Sequence, residues 1–213
     1  YESMRYFAGA KAATPNYAPT ASGPGFTEET SMGLGTEAWD DPYDPDGGFR
    51  QCAKPYQTII SDINPSYDSN VPGTAFNDGV LPNGTTPAKI SGFSAGAEGG
   101  AIWAEEGLGS ARNVFIGEVA GSPTDYAPSA KAVSSFANIR GLSPEEPSKQ
   151  GTYYSASVAR FARITDVNPR AEEQKISTYS IALASPLPRI EFPVGSGKVT
   201  LIPFGKTASG TFG

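Results

Sequence analysis

The chain has 213 residues with a formal net charge of −6, and 38% of them are hydrophobic, which suffices for one domain with a full core. The acidic balance and the lack of any run of Lys or Arg exclude the electrostatic attraction on which non-specific nucleic-acid binding depends. The chain contains no histidine, the commonest general base and transition-metal ligand, so we expect no catalysis from it alone.

The chain opens with a short amphipathic segment, Tyr1 to Phe7, that is typical of the end of a helix. Because this segment has no N-cap residue, we expect the chain to be a fragment whose polypeptide continues upstream. Residues 8–52 show almost no periodicity and are rich in Gly, Pro, Thr, Ser and Asp, which predicts a long irregular loop. Trp39 and Tyr43 in this loop are candidates for exposed contact residues.

Three carboxylates stand close together near the end of this loop, at Asp41, Asp44 and Asp46, just before Gly47. Calcium is bound by several oxygen ligands around a sharp turn, so this pattern is similar to a calcium loop. The spacing differs from that of an EF-hand, and tight turns also collect Asp, Pro and Gly for backbone reasons alone. A calcium site and a simple turn therefore both stay open, with the turn favoured.

The clearest strand is Tyr56 to Ser61, a short β-branched run of the kind that lies inside a parallel sheet. Asp62 follows it directly. Open α/β sheets have their binding sites just beyond the carboxyl ends of their central strands. Asp62 is therefore the best single candidate for a functional carboxylate, and a turn-forming aspartate is the alternative.

Residues 92–96 read GFSAG and fit the G-x-S-x-G pattern of a hydrolase nucleophile elbow. A serine is a weak nucleophile without a base, and on that fold the base is histidine, which this chain lacks. We therefore favour a turn of small residues that enters a helix over residues 95–108, with Ser94 near the N-cap.

Two further signals are weak. Cys52 is the single cysteine, so it is either free or paired with a cysteine in polypeptide outside this chain. Asn83 begins an N-x-T glycosylation sequon, which has meaning only in a glycosylating secretory pathway. No stretch of about 18 apolar residues is present, so the sequence predicts no membrane span.

The remaining elements follow from periodicity. A buried strand is predicted over residues 114–119, helices over 128–139 and 153–164, and a third strand over 176–184. Two strand-like segments at 189–194 and 198–204, separated by Gly-Ser-Gly, predict a β-hairpin. Strands that alternate with helices predict an α/β fold whose parallel sheet is covered on both faces.

Four stretches resemble the N-terminal region of PilY-type type IV pilus biogenesis proteins. They are residues 54–69 (KPYQTIISDINPSYDS), 136–147 (FANIRGLSPEEP), 150–159 (QGTYYSASVA) and 182–190 (ALASPLPRI). The resemblance implies a von Willebrand factor A-like fold, a doubly wound α/β sheet that is incomplete here over residues 1–185. On that basis residues 8–52 are a long insertion, and residues 186–213 are a hairpin or linker toward a following module.

The resemblance also implies a metal-ion-dependent adhesion site, with Mg²⁺ or Ca²⁺ as the ion and no organic cofactor. Asp62 matches the aspartate that the third loop of such a site supplies after a central strand. The D-x-S-x-S motif and the threonine of the other two loops are not found, and we expect them upstream of Tyr1. This chain would then hold only part of the site.

The function implied by the resemblance is that of a non-enzymatic extracellular component of a type IV pilus, a tip adhesin or biogenesis factor. Its role would be adhesion and the control of pilus assembly or retraction. The expected partners are minor pilins at the pilus tip, upstream polypeptide of the same protein, and a host or surface receptor. The expected location is the cell surface, after export through the periplasm of a Gram-negative bacterium. A structural subunit of an extracellular fibre or surface layer is the alternative.

Overall fold

The computed structural model describes residues 1–15, 38–47, 50–62, 65–76, 86–122, 127–141, 150–183 and 190–201. Its helices are α1 (Glu2–Phe7), α2 (Ala95–Glu105) and α3 (Tyr154–Ile164), with short 3₁₀ turns at Pro45–Gly47 and Phe136–Asn138. Its strands are β1 (Tyr56–Ser61), β2 (Arg112–Ile116), β3 (Glu118–Val119), β4 (Ser129–Val133), β5 (Ile139–Arg140), β6 (Ser177–Ala182), β7 (Ile190–Val194) and β8 (Gly197–Leu201). This mixture of helix and strand is compatible with the predicted α/β class.

The predicted parallel pairing is present between β1 and β6, in a register that sets Gln57 opposite Thr178. The prediction that β1 lies in the interior of a covered sheet is wrong for the described residues. Ile60 is 65% exposed, and most of the strand is open to solvent. The physical reason is that β6 is the single strand paired with β1 in the described part of the chain, and the face of the pair that bears Tyr56, Ile60, Tyr179 and Ile181 is exposed.

The strand predicted over residues 114–119 divides at Gly117 into β2 and β3, which have different partners. β2 pairs antiparallel with β4, and β3 pairs antiparallel with β5. β2 is mostly exposed instead of buried. Among the described strands, the parallel sheet predicted from the alternation of strands and helices is present only as the β1–β6 pair, and β2 and β3 lie in antiparallel pairs instead.

The helix predicted over residues 128–139 is wrong, because this segment forms β4, a 3₁₀ turn and the start of β5. The spacing of Val133, Phe136 and Ile139 suggested one face of a helix. These three residues instead pack in one core cluster with Trp103. They lie on a strand, a 3₁₀ turn and a second strand, not on one helix. Lys131 supports the strand by donating to the carbonyl oxygens of Ile116 and Gly117 at 3.0 and 3.1 Å.

Helix α3 was predicted within one residue, because its apolar side chains recur at helical spacing. Phe161 packs edge-on against Phe93, with ring centroids 5.3 Å apart, and Tyr154 is fully buried. The Tyr154 hydroxyl donates to the carbonyl of Ala137 at 2.7 Å and accepts from the amide of Ala75 at 3.0 Å. One side chain thus ties α3 to two separate loops.

The predicted hairpin is confirmed as β7 and β8, which pair antiparallel around Gly195. Residues 202–204, its predicted end, lie outside the described residues. Of the predicted loop over residues 8–52, the described parts contain no strand and include the 3₁₀ turn Pro45–Gly47. Within the described residues, no helix combines the length and apolar character that crossing a membrane requires.

Candidate functional site

Asp62 lies where the sequence predicted it, directly after the carboxyl end of β1. The neighbouring strand ends at the same edge, because the amide of Leu183 donates to the carbonyl of Ser61 at 2.7 Å. Asp62 is exposed there, so a cation could approach it from solvent. Metal binding at Asp62 stays a prediction.

Asp41 is buried against the segment that follows α3. Its carboxylate accepts from the amide of Tyr43, from Asn168 Nδ2 and from Arg170 Nε, at 3.0, 3.1 and 3.0 Å. Burial raises the pKa of Asp41, but these three hydrogen bonds outweigh it and lower the pKa below its ordinary value of 3.8. Arg170 also pairs with Asp44 at 3.1 Å, so one guanidinium joins two of the predicted calcium ligands.

The turn interpretation of this segment is supported by its backbone. The amide of Tyr43 donates to Asp41, and the amide of Asp46 donates to Asp44 at 3.1 Å, which are two Asx turns. In the part of the chain that the structure describes, no three His, Cys, Asp or Glu side chains converge to hold a metal ion. The calcium site at Asp41, Asp44 and Asp46 stays a prediction. In the structure the positive charge beside Asp41 and Asp44 is the guanidinium of Arg170.

The expected exposure of two loop aromatics is not met. Tyr43 is buried, with its ring centroid 6.5 Å from that of Phe7. Trp39 is half-buried against Tyr6, with the Arg5 guanidinium 5.9 Å from its ring. Both aromatics anchor the described end of the loop onto α1, which nothing in the local sequence indicated.

Ser94 is the N-cap of α2, as the favoured interpretation predicted, and its Oγ accepts from the amide of Ala97 at 3.4 Å. An oxyanion hole would need the amide of the residue after the serine. That amide donates to the carbonyl of Pro72 at 2.9 Å, and the next amide, of Gly96, donates to the carbonyl of Gly73 at 3.0 Å. The start of α2 is therefore closed by the 71–74 loop.

Cys52 is exposed and has no disulfide partner among the described residues. Its pairing with a cysteine outside the chain stays a prediction. The sequon at Asn83 lies outside the described residues.

A buried ion pair between Glu118 and Arg140 was not predicted from the sequence. Both side chains are buried, and Arg140 Nη2 donates to Glu118 Oε1 at 3.2 Å. The guanidinium also lies 4.4 Å from the ring of Phe76. The pair joins β3 to β5, and its members are 22 residues apart, so no short motif reveals it.

Asp68 is a second group that the sequence did not single out. Its Oδ1 accepts from the amide of Thr152 at 2.8 Å. Its Oδ2 is buried and has no hydrogen-bond partner among the described residues. Burial is the largest cause that raises the pKa of Asp68, to about 6.

The elevated pKa of Asp68 predicts how stability depends on pH. The folded state holds the proton of the Asp68 carboxyl more tightly than the unfolded state does. The contribution of Asp68 to stability is therefore greatest below pH 4. It falls as the pH rises to about 6, by up to about 3 kcal/mol. Asp68→Asn should remove this dependence and be more stable than the wild type at pH 7.5 by about 1–3 kcal/mol. Urea unfolding at pH 4, 5, 6 and 7.5 measures it.

The matched control is Asp40→Asn, which changes an exposed carboxylate and should leave the pH dependence as in the wild type. A wild type that is more stable than Asp68→Asn at pH 7.5 would contradict the assignment of a costly buried charge to Asp68.

Comparison with known proteins gives two matches. Residues 1–162 match the family model described as PilY1 homolog, second domain. The chain is 43% identical over 215 residues to a protein of Xylella fastidiosa (strain Temecula1) named Type IV pilus biogenesis factor PilY1 homolog. The alignment covers 99% of this chain and 14% of that protein, so the chain spans about one seventh of its relative. No solved structure matches the chain.

Proposed function

Because the chain belongs to the family of PilY1 homologs, we propose that it serves type IV pilus biogenesis as part of a non-enzymatic extracellular pilus component. The observation that carries this proposal is the 43% identity over nearly the whole chain to a protein named a type IV pilus biogenesis factor. The proposal concerns the whole protein, of which the aligned region is a small part.

Two observations support a non-enzymatic role. The chain has no histidine to activate Ser94, and the amides that follow this serine are engaged by the 71–74 loop. A carbonyl substrate would have to displace that loop before it could meet Ser94 and an amide donor together. The role of Ser94 as a helix cap accounts for the G-x-S-x-G pattern without catalysis.

A von Willebrand factor A-like sheet is the finer part of the proposal. Parallel strands are ordinarily covered on both faces, yet one face of the β1–β6 pair presents Tyr56, Ile60, Tyr179 and Ile181 to solvent. The rings of Tyr56 and Tyr179 stack there at 6.2 Å. We propose that strands and helices from upstream polypeptide of the same protein complete this sheet.

The proposed metal site lies at the carboxyl edge of the same pair. Asp62 would supply one oxygen ligand to Mg²⁺ or Ca²⁺, and the remaining ligands would come from polypeptide outside this chain. The exposed position of Asp62 beside the ends of β1 and β6 supports this proposal. The site would serve adhesion, with a carboxylate of a receptor as the last ligand.

We further propose that the protein acts at the cell surface after export through the periplasm of a Gram-negative bacterium. Minor pilins at the pilus tip are the proposed partners, together with a receptor on the host or another surface. The relative's name and the family match support pilus partners in general terms.

Deletion of the gene is expected to abolish surface pili and twitching motility, because pilus assembly would lack a biogenesis factor. Counting pili by electron microscopy and measuring twitching zones test this, with the complemented strain as control. Normal piliation in the deletion strain would contradict the function. Self-assembly of the purified protein into fibres would then favour the alternative of a structural subunit.

Metal binding at Asp62 is tested by a separate experiment, whose outcome does not depend on the pilus function. In the full-length protein, Asp62→Ala should weaken Mg²⁺ or Ca²⁺ binding at least tenfold by isothermal titration, while piliation persists. Asp40→Ala, which removes another exposed carboxylate, is the matched control. Equal affinity in the wild type and Asp62→Ala would overturn the role of Asp62 and leave the pilus function standing.

A further inference from the structure

Residues 65–68 and residues 150–152 meet in a close contact, which we call the clasp. The amide of Thr152 donates to Asp68 Oδ1 at 2.8 Å, across 84 residues of sequence. A Cβ added to Gly151 would overlap the carbonyl oxygen of Pro65, so only glycine fits that position. The clasp therefore depends on one side-chain hydrogen bond and on one approach of backbone to backbone.

Both sides of the clasp carry backbone strain. Tyr67 has a φ of 49° and Gln150 has a φ of 56°. This conformation is unfavourable for a residue with a Cβ and persists only where the surrounding structure holds it. The hydrogen bond from Thr152 to Asp68 lies between the two strained residues. Its loss would let both of them relax.

Asp68 is a poor group to hold such a contact in its ionised form. Its Oδ2 is buried and has no hydrogen-bond partner among the described residues. An ionised carboxylate in this position loses hydration that no donor replaces, whereas the neutral carboxyl has no charge to desolvate. Burial accordingly raises the pKa of Asp68 to about 6. The closed clasp therefore favours the protonated carboxyl.

Helix α3 and strand β5 place titratable and charged groups toward the clasp. Tyr154 of α3 is buried, and burial raises the pKa of its phenol, so it stays neutral. Arg140 of β5 forms a β-bridge to Thr152, and its guanidinium pairs with Glu118. The positive charge of Arg140 is therefore balanced by Glu118.

A cavity of about 280 Å³ lies on the other side of Asp68. Residues 66–71 form one wall of this cavity, and Tyr1 and Glu2 line the opposite wall. The Glu2 carboxylate accepts from Arg5 Nη1 at 2.7 Å, so a cation on its own wall balances its charge. Any movement of residues 65–68 changes the shape of this cavity.

We propose that the clasp is a pH-sensitive contact, closed while Asp68 is protonated and released when Asp68 ionises. On release, residues 65–70 move away from residues 150–152 while the rest of the domain stays folded. The cavity beside residues 66–71 then opens to solvent. This inference does not depend on the pilus function.

The size of the effect follows from proton linkage. The closed clasp holds the Asp68 proton with a pKa of about 6, and a hydrated Asp68 in the open clasp has an ordinary pKa near 4. The closed state is therefore favoured most below pH 4, and this advantage is lost as the pH rises through 6. Between pH 4 and pH 7.5 the ratio of open to closed clasp should increase roughly 50-fold.

Hydrogen exchange of the Thr152 amide in the full-length protein tests the proposal. The rate is read by mass spectrometry with electron-transfer fragmentation and divided by the intrinsic rate at each pH. The corrected rate at Thr152 should rise roughly 50-fold from pH 4 to pH 7.5 and should not respond to sub-denaturing urea, because the opening is local. The amide of Ile176, which donates to the carbonyl of Ala162 at 2.8 Å in the core, should exchange more slowly and accelerate in urea.

Two variants and a control separate the causes. Asp68→Asn keeps a neutral oxygen for the Thr152 amide, so its corrected rate at pH 7.5 should equal that of the wild type at pH 4. Gly151→Ala prevents closure, so Thr152 should exchange rapidly at pH 4 while Ile176 stays protected. Asp40→Asn, which changes an exposed carboxylate, should leave the pH dependence as in the wild type.

Four results would overturn the proposal. The first is a corrected rate at Thr152 that is the same at pH 4 and pH 7.5. The second is exchange at Thr152 that matches Ile176 in rate and in urea dependence, because the opening would then be global unfolding. The third is a pH dependence that persists in Asp68→Asn, which would assign it to another group. The fourth is loss of protection at Ile176 in Gly151→Ala, because the clasp would then be inseparable from the rest of the fold.

Discussion

Replacing Glu118 by Ala is expected to lower the free energy of unfolding by about 3–5 kcal/mol. The change removes the carboxylate that faces the Arg140 guanidinium, which is 1% exposed and lies over the ring of Phe76. Because removing one member of a buried ion pair leaves a desolvated guanidinium that has lost two hydrogen-bond acceptors, this single change should be among the most damaging in the domain.

The control is a carboxylate–ammonium ion pair at the surface. Glu173 contacts Lys175 Nζ at 2.8 Å and is largely exposed. Glu173→Ala should leave the free energy of unfolding close to that of the wild type, because solvent and salt screen exposed pairs. Urea unfolding of both variants measures the difference. A cost of Glu118→Ala no larger than that of the control would contradict the role assigned to the buried pair.

Replacing Gly73 by Ala is expected to cost about 4 kcal/mol, for two reasons that add together. Gly73 has a φ of +79°, a conformation that residues with a Cβ rarely adopt. An added Cβ would also stand 2.2 Å from Ser94 Oγ and 2.8 Å from Ser94 Cα, so the loop or the start of α2 must move. Moving them breaks the hydrogen bonds that satisfy the first amides of that helix.

Gly121→Ala separates the two causes. Gly121 has nearly the same backbone conformation, with a φ of +80°, but no atom of the described residues lies within 4 Å of the position of its Cβ. Its replacement should cost only about 1–2 kcal/mol, the cost of the backbone conformation. Thermal or urea unfolding of the two variants gives the excess due to the close approach at Gly73. Equal costs would show that the contact with Ser94 yields easily.

The elements that were predicted well are those whose own residues determine them. Tyr154 to Ile164 repeats its apolar side chains at helical spacing, and residues 190–201 alternate around a glycine turn, so each has one favourable conformation. The segment from Ser129 to Ile139 has an ambiguous pattern. Its conformation is decided by pairing with Arg112–Ile116 and by packing on Trp103. These partners are distant in sequence, so the residues of the segment alone do not reveal its conformation.

Of the candidate site residues, only the position of Asp62 could be predicted from the sequence. The position of Asp62 follows from a general rule about the ends of parallel strands, and the structure has the carboxylate there. The environment of Asp41 does not follow from any such rule. Its partners Asn168 and Arg170 are 127 and 129 residues away, so the charge that balances the acidic turn is supplied by tertiary structure. The same holds for the burial that raises the pKa of Asp68.

The parallel pairing of β1 with β6 has a consequence for biosynthesis. Tyr56 must find Ser177, so about 120 residues separate the partners along the chain. At a translation rate of about 5–20 residues per second, β1 leaves the ribosome roughly 6–24 s before its partner exists. Throughout that interval Ile59 and Ile60 lack the strand that will align them.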